Sequence, residues 1–171
     1  KEETYAALGA PYGYGDGARS GVGWDRTAAL KILRARKRAG ERLFTGAYMM
    51  TNGGSTRPKH EVVVSRLAWV HKRIPQLLKA LDDAGGLEQA TRVLTAIPGF
   101  GWFTAYECMI DAVWEQRVLS YSLNAWVYAG PGACRGLSHL LGRATVSQAV
   151  AQQGLEVLRQ SQREWLKKAG A

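Results

Sequence analysis

The sequence predicts an all-α fold, and three observations predict it. Apolar residues recur at helical spacing through most of the 171 residues, no stretch alternates apolar and polar in the rhythm of a strand, and glycine or proline clusters separate the apolar runs. No internal repeat or long linker interrupts the pattern. The length suffices for one domain with a real core, which sets the expected organisation as a glycine-rich segment over 1–24 followed by a single helical domain over 25–171.

Each element has a local cause. The stretch from Gly9 to Gly23 holds six glycines with Tyr12, Tyr14 and Asp16, a composition that favours loop. Asp25 suits the cap of a helix running through Leu30, Ile32 and Leu33 to Gly40. A further segment covers Glu41 to Met50, and Asn52-Gly-Gly-Ser-Thr reads as a turn. Val63, Leu67, Val70 and Ile74 mark a helix over His60 to Arg73, and Pro75 fits the first turn of the next, which ends before Gly85-Gly86. Two hairpin helices follow within 94–113 and around it. After Trp114 a less regular stretch reaches Gly130-Pro131-Gly132, then a short helix through Leu140 and a last helix from Thr145 to Lys168.

Charge narrows the partner. Lys and Arg number 23 against 14 Asp and Glu, a net charge of +9 that suits a polyanion, with Arg34, Arg36, Lys37 and Arg38 as one candidate cluster. A solvated helix face is the ordinary alternative for any one of them. Six Trp and seven Tyr offer stacking surfaces or core filling. Two cysteines are too few for a four-thiolate cluster or a cysteine-built zinc site, and Cys108 is expected to be a buried thiol. His60, His71 and His139 show no ligand spacing, so no metal site is expected. No apolar run reaches membrane-spanning length and no signal-peptide pattern is present; a reducing cytoplasm is the expected compartment.

Leu94 to Asp111 is the most informative stretch. An apolar helix stops at Pro98, Gly99-Phe100-Gly101 turns, and a second apolar helix starts at once. Proline cannot continue the first helix, while two glycines one residue apart permit positive φ and close backbone approach. Their amides and the second helix's N-terminus make a cradle suited to a phosphate. An ordinary turn between two helices is the plainer reading. The stretch resembles the helix-hairpin-helix element of the DNA glycosylase superfamily, through the apolar-Pro-Gly-x-Gly turn and Thr104-Ala105. That resemblance implies a glycosylase-like helical domain in which Pro98, Gly99, Phe100, Gly101, Trp102 and Thr104 contact DNA.

The second informative segment runs from Asn124 to Leu137. Gly130-Pro131-Gly132 before a helix again offers amides at a helix start, and Arg135 adds a guanidinium fork for phosphate oxygens. A cation there opposes the helix dipole unless an anion is near. A tight interhelical turn with a surface arginine explains it equally well. With Phe44-Thr45-Gly46-Ala47-Tyr48, the hairpin, Ala-Tyr-Glu followed by Asp111, and Gly-Pro-Gly-Ala-x-Arg-Gly-Leu in that order, residues 40 to 140 resemble the phage α-glutamyl/putrescinyl-thymine pyrophosphorylases, regarded as amino acid:DNA transferases. The resemblance implies replacement of a pyrophosphate on 5-hydroxymethyluracil in double-stranded phage DNA by an amino acid or other amine, in the cytoplasm of the infected host, by a monomer that flips its base and binds no membrane.

That reaction assigns roles. Diphosphate leaves well only when its charge is neutralised, a task for Gly130, Gly132, Arg135 and Arg42. An attacking amine must shed a proton, so Asp111, with Glu107 one turn earlier, is the candidate base and anchor. Such a pair is usually a solvated face; its neighbours Met109, Ile110 and Val113 point instead to partial burial. Trp102, Tyr48 or Tyr128 would hold the base or plug the gap. No cofactor is required, although a monovalent ion on the hairpin carbonyls or a divalent ion with the diphosphate is compatible with the chemistry. Asn124 stands where an aspartate is expected, either an amide working in the acid's place or an inactivating substitution. No acid lies between Glu115 and Glu156, which argues against excision of a base. A glycosylase, or a relative that binds a modified base without chemistry, is the alternative function.

Overall fold

The computed structural model describes residues 2–8, 25–44, 52–115 and 119–170. Among them the helices are α1 (Glu2–Leu8), α2 (Arg26–Arg38), α3 (Lys59–His71), α4 (Ile74–Asp82), α5 (Leu87–Leu94), α6 (Trp102–Trp114), α7 (Pro131–Leu140) and α8 (Gln148–Lys168), and no strand is present. The all-α expectation therefore agrees with the structure. The described residues fall into two compact units: residues 1–82 with 96–100, and residues 83–95 with 101–171.

In the first unit α2 packs on α3, α1 on α2 and α4 on α3. Asp25 caps α2 as its sequence position suggests, its carboxylate accepting from the amides of Thr27 and Ala28 at 2.8 and 3.1 Å. The chain leaves α2 through Gly40 at φ +75°, a conformation that favours glycine. Ala29, Leu33 and Val64 form a core with Leu8, Leu30 and Leu43 packed against it. Two readings change here. Residues 1–24 are not loop throughout, because Glu2–Leu8, which lacks Gly and Pro, is helical; the glycine-rich residues 9–24 lie outside the described residues. Residues 41–44 are irregular, not helical, and 45–51 are outside the description.

In the second unit α5 packs on α6 and α7 on α8. Leu87, Ala90 and Thr91 on α5 and Ala105, Met109 and Val113 on α6 are buried. The four-residue spacing of the α6 trio places it on one face. Ala129, Leu137 and Ala151 form a second cluster. Gly154, inside α8, lets Leu137 approach so closely that a Cβ there would lie 3.0 Å from its Cδ2. The last helix starts at Gln148, not Thr145, because the Ser147 hydroxyl accepts from the Val150 amide and sets the cap.

Deleting most of the Met109 side chain, only 1% exposed, should cost about 2–5 kcal/mol. Asp25→Ala removes one cap and should cost about 1 kcal/mol. Chemical unfolding of the two variants beside the parent measures both.

Candidate nucleic-acid interface

The turn between α5 and α6 is built by three local constraints. α5 ends at Leu94, capped at Thr95 and so four residues earlier than the expected stop at Pro98; Pro98 lies in the turn itself, where Gly99 takes φ +77° and the Phe100 amide donates to the Ile97 carbonyl at 2.9 Å. Gly101 then begins α6 in extended backbone (φ −88°, ψ 173°) with no side-chain cap. The amides of the first turn of α6 thus point outward without an intrahelical acceptor, the arrangement that favours an anion. Pro98, Gly99 and Gly101 are exposed, and Phe100, Trp102 and Thr104 are half-buried.

Only Gly99, not both glycines, uses the left-handed region. A Cβ on Gly101 would meet nothing within 4 Å, whereas one on Gly99 would overlap the Arg66 guanidinium, with Cζ at 2.7 Å. A Cβ on Gly53 (φ +59°) would meet the same guanidinium at 2.7 Å from Nη2, with the Gly99 Cα at 3.5 Å. Arg66, 7% exposed, is therefore wedged against two glycine turns in the first unit. Sequence reasoning missed it, although a lone arginine amid Val62, Val63, Val64, Leu67 and Ala68 was a visible signal. Arg57, Arg66, Ser55 and Ser65 line a cleft of about 340 Å³ beside this turn.

The second unit gathers aromatic rings at the start of α6. Trp102 stacks on Tyr128 (centroids 6.2 Å, 13° between planes), and Tyr106 meets Trp126 edge-on at 5.4 Å. Arg92 lies over the Trp102 ring at 5.2 Å. Desolvation pushes the Tyr106 hydroxyl above its ordinary value, while a backbone hydrogen bond at Tyr128 pulls it down. Trp102 and Tyr128 were expected at the base-binding site, whereas Tyr106, Trp126 and Arg92 were not; Tyr48 lies outside the described residues.

The Gly130-Pro131-Gly132 turn differs from its expected role. Gly130 caps α7, but it is buried and its amide donates to the Tyr128 carbonyl at 3.0 Å, so it has no donor left for a ligand. A Cβ there would press on Phe103 at 3.2 Å; glycine serves packing. Proline has no amide, which leaves Gly132 and the residue after it in the uncapped first turn of α7. Gly132 and Arg135 are exposed, as is Arg42 in the irregular stretch after α2.

Glu107 and Asp111 are both exposed, contrary to the expected partial burial. The reason is the helix period: α6 turns Ala105, Met109 and Val113 inward, so 103, 107 and 111 face out. Cys108, expected to be buried, is likewise exposed beside them. Desolvation first, and then Asp111 and Glu107, push its thiol above the ordinary value. Asn124 is exposed, and its carbonyl accepts from Arg159 Nη1 at 2.6 Å. Among the described residues no hydrogen bond or ion pair joins Glu107, Asp111, Asn124 and Arg135 to one another, and no group of His, Cys, Asp or Glu is arranged to hold a metal ion. No described helix is long and apolar enough to cross a membrane.

Two predictions follow from this geometry. Gly99→Ala should cost about 1–3 kcal/mol, because φ is positive and Arg66 fills the space; Gly101→Ala should stay within about 0.5 kcal/mol, as surface changes do. Thermal unfolding separates them. Arg159 also donates to Glu156 Oε2 at 2.8 Å and holds that carboxyl down at about 2. A depressed carboxylate contributes stability above its unfolded value, lost as pH falls from the ordinary 4.5 through about 2. In Arg159→Gln the Glu156 carboxyl, followed by NMR, should titrate higher than in the parent but still below its ordinary value, because Gln160 also donates to it at 2.7 Å.

Comparison with known proteins gives two matches. A family described as "5-hmdU DNA kinase, helical domain" matches residues 1–171. A protein of Bacillus phage SP10 named "5-hmdU DNA kinase" is 27% identical over 130 residues, 68% of this chain and 20% of that protein. The match thus spans about one fifth of the relative's length. No solved structure matches the chain.

Proposed function

The chain belongs to the 5-hmdU DNA kinase helical-domain family, and from that membership we propose that it engages phage DNA carrying 5-hydroxymethyluracil in the service of thymine hypermodification. The family bears the name of a kinase, where the sequence resemblance points to an amine transferase; both activities address the same modified base. The single observation that carries DNA engagement is the uncapped, exposed N-terminus of α6 at Gly101, entered through the Pro98-Gly99-Phe100 turn. Backbone amides there suit a DNA phosphate, and a net charge of +9 supplies long-range attraction. A helix-hairpin-helix relation to the DNA glycosylases is part of this reading. The Trp102, Tyr106, Trp126 and Tyr128 cluster beside the α6 start supplies rings on which an extruded base stacks.

Duplex binding should fall steeply with salt, because lysine and arginine displace condensed counterions. Gly101→Val, which meets no neighbour at its Cβ, should weaken binding to every sequence alike, since phosphate contacts position and do not specify. Fluorescence anisotropy on duplexes with and without 5-hydroxymethyluracil reads both; full affinity in a folded Gly101→Val protein would make the turn purely structural.

The exposed Glu107–Asp111 pair and the exposed Arg135 just past the first turn of α7 favour a second reading, amine transfer with release of diphosphate. There Asp111 takes the proton of the attacking amine, Glu107 supports it, and Arg135 with Gly132 receives the departing charge. DNA carrying pyrophosphorylated 5-hydroxymethyluracil, incubated with mixed amino acids and analysed by nucleoside mass, should then yield an aminated base and free diphosphate. Asp111→Asn should lower that rate about 10²–10⁴-fold with DNA binding retained. A parent-like rate would return the pair to an ordinary acidic helix face.

A further inference from the structure

The first unit carries a groove that the hairpin reading leaves unused. α2 and α3 wall it, its volume is about 810 Å³, and Arg26, Lys31, Arg34, Lys37 and Arg38 line it with His60 and Glu61. Five arginines and lysines therefore face one carboxylate. That carboxylate is already engaged: Arg34 donates to Glu61 Oε1 from Nε and Nη2 at 3.1 and 2.7 Å, and the interaction holds Glu61 below its ordinary value. Arg26, Lys31, Lys37 and Arg38 form no ion pair with any described residue. Arg36, one residue from this row, points elsewhere and pairs with Glu41.

A row of one sign is unfavourable for the helix that bears it. Lys31, Arg34, Lys37 and Arg38 recur at three- and four-residue intervals, where like charges repel. The last turn gains something from the helix dipole, but Arg26 and Lys31 do not sit there. A face built for solubility intersperses signs. His60, buried in the groove wall, is shifted below its ordinary value, by its burial first and then by Lys37 and Arg34, with Glu61 acting in the opposite sense. The groove therefore concentrates positive potential, and a bound anion would relieve the repulsion.

Its length selects the anion. From Arg26 to Arg38 the row runs roughly 18 Å at 1.5 Å per residue. Phosphates of one DNA strand recur about every 3.4 Å of helix axis but stand roughly twice as far apart along the winding strand itself, so a row that tracks the strand spans about three phosphates. A single nucleotide's phosphates would occupy only part of it.

We propose that the α2–α3 groove is a second DNA-backbone site, in which Arg26, Lys31, Lys37 and Arg38 track one phosphate strand independently of the hairpin turn. This rests on the reading that the chain engages DNA, and it places the groove site wholly within the first unit.

The test compares the 171-residue chain with a Lys31→Gln/Lys37→Gln/Arg38→Gln variant and with Gly101→Val on one duplex, across a salt series. Each lost phosphate contact lowers the slope of log affinity against log salt by about 0.9, so the triple variant should lose about 2–3 units of slope. Gly101→Val, which removes no cation, should lose affinity at parental slope. The His60 imidazole resonance should shift when duplex is added to the parent, a readout that needs no substitution, and circular dichroism shows whether the triple variant folds. A parent that binds no DNA overturns the functional reading and the groove together. A parent that binds while the folded triple variant keeps its slope, or while His60 stays unperturbed, overturns the groove alone. Displacement of the duplex from the groove by ATP at matched ionic strength would identify a mononucleotide site and also overturn it.

Discussion

The wedge of Arg66 against two glycine turns is the constraint on which the hairpin region depends. A guanidinium occupies the space that Cβ atoms would take at Gly53 and Gly99, and both glycines sit at positive φ. Each turn is thus held from one side by a planar, permanently charged group that α3 delivers from a largely apolar face. Burying that charge is tolerable because Arg66 is engaged by neighbours, and an engaged buried cation is costly to move.

Charge in the first unit divides into spent and unspent. Glu61 engages Arg34 and lies within 3.9 Å of Arg57, and Glu41 engages Arg36. These pairs fasten α2 to α3 and close the end of α2. They are exposed or nearly so and contribute little stability apiece. Their larger effect is selection, because they remove some cations from the field and leave the α2 row to dominate it. Counting lysines and arginines along the chain cannot make that distinction.

In the second unit α6 serves three surroundings with one helix. Ala105, Met109 and Val113 enter the core, Trp102 and Tyr106 enter the aromatic cluster, and Phe103, Glu107 and Asp111 face outward. Phe103, 54% exposed, still covers buried Gly130, so a glycine that reads as a ligand donor is a packing residue. The residue types suggested by the resemblance are present, but among the described residues Glu107, Asp111, Asn124 and Arg135 are joined by no hydrogen bond or ion pair.

The sequence by itself determined the all-helical class and most helix ends, because these rest on local causes. Asp25 caps α2 and Gly40, Gly53 and Gly99 supply positive φ, whereas the Ser147 cap, the end of α5 at Leu94 and the buried His60, Val62, Val64 and Arg66 of α3 do not follow from the apolar period. It also determined the net charge and the turn at 98–101. Tertiary structure alone decided what depends on partners distant in sequence. It brought Arg66 to Gly99 across 33 positions, tied up the Gly130 amide, exposed Cys108 and Asp111, and sorted Arg34 and Arg36 from the open cations of α2. The physical reason is that a period identifies a face, whereas the neighbour that face meets, and hence its burial and charge balance, is set only when the helices pack.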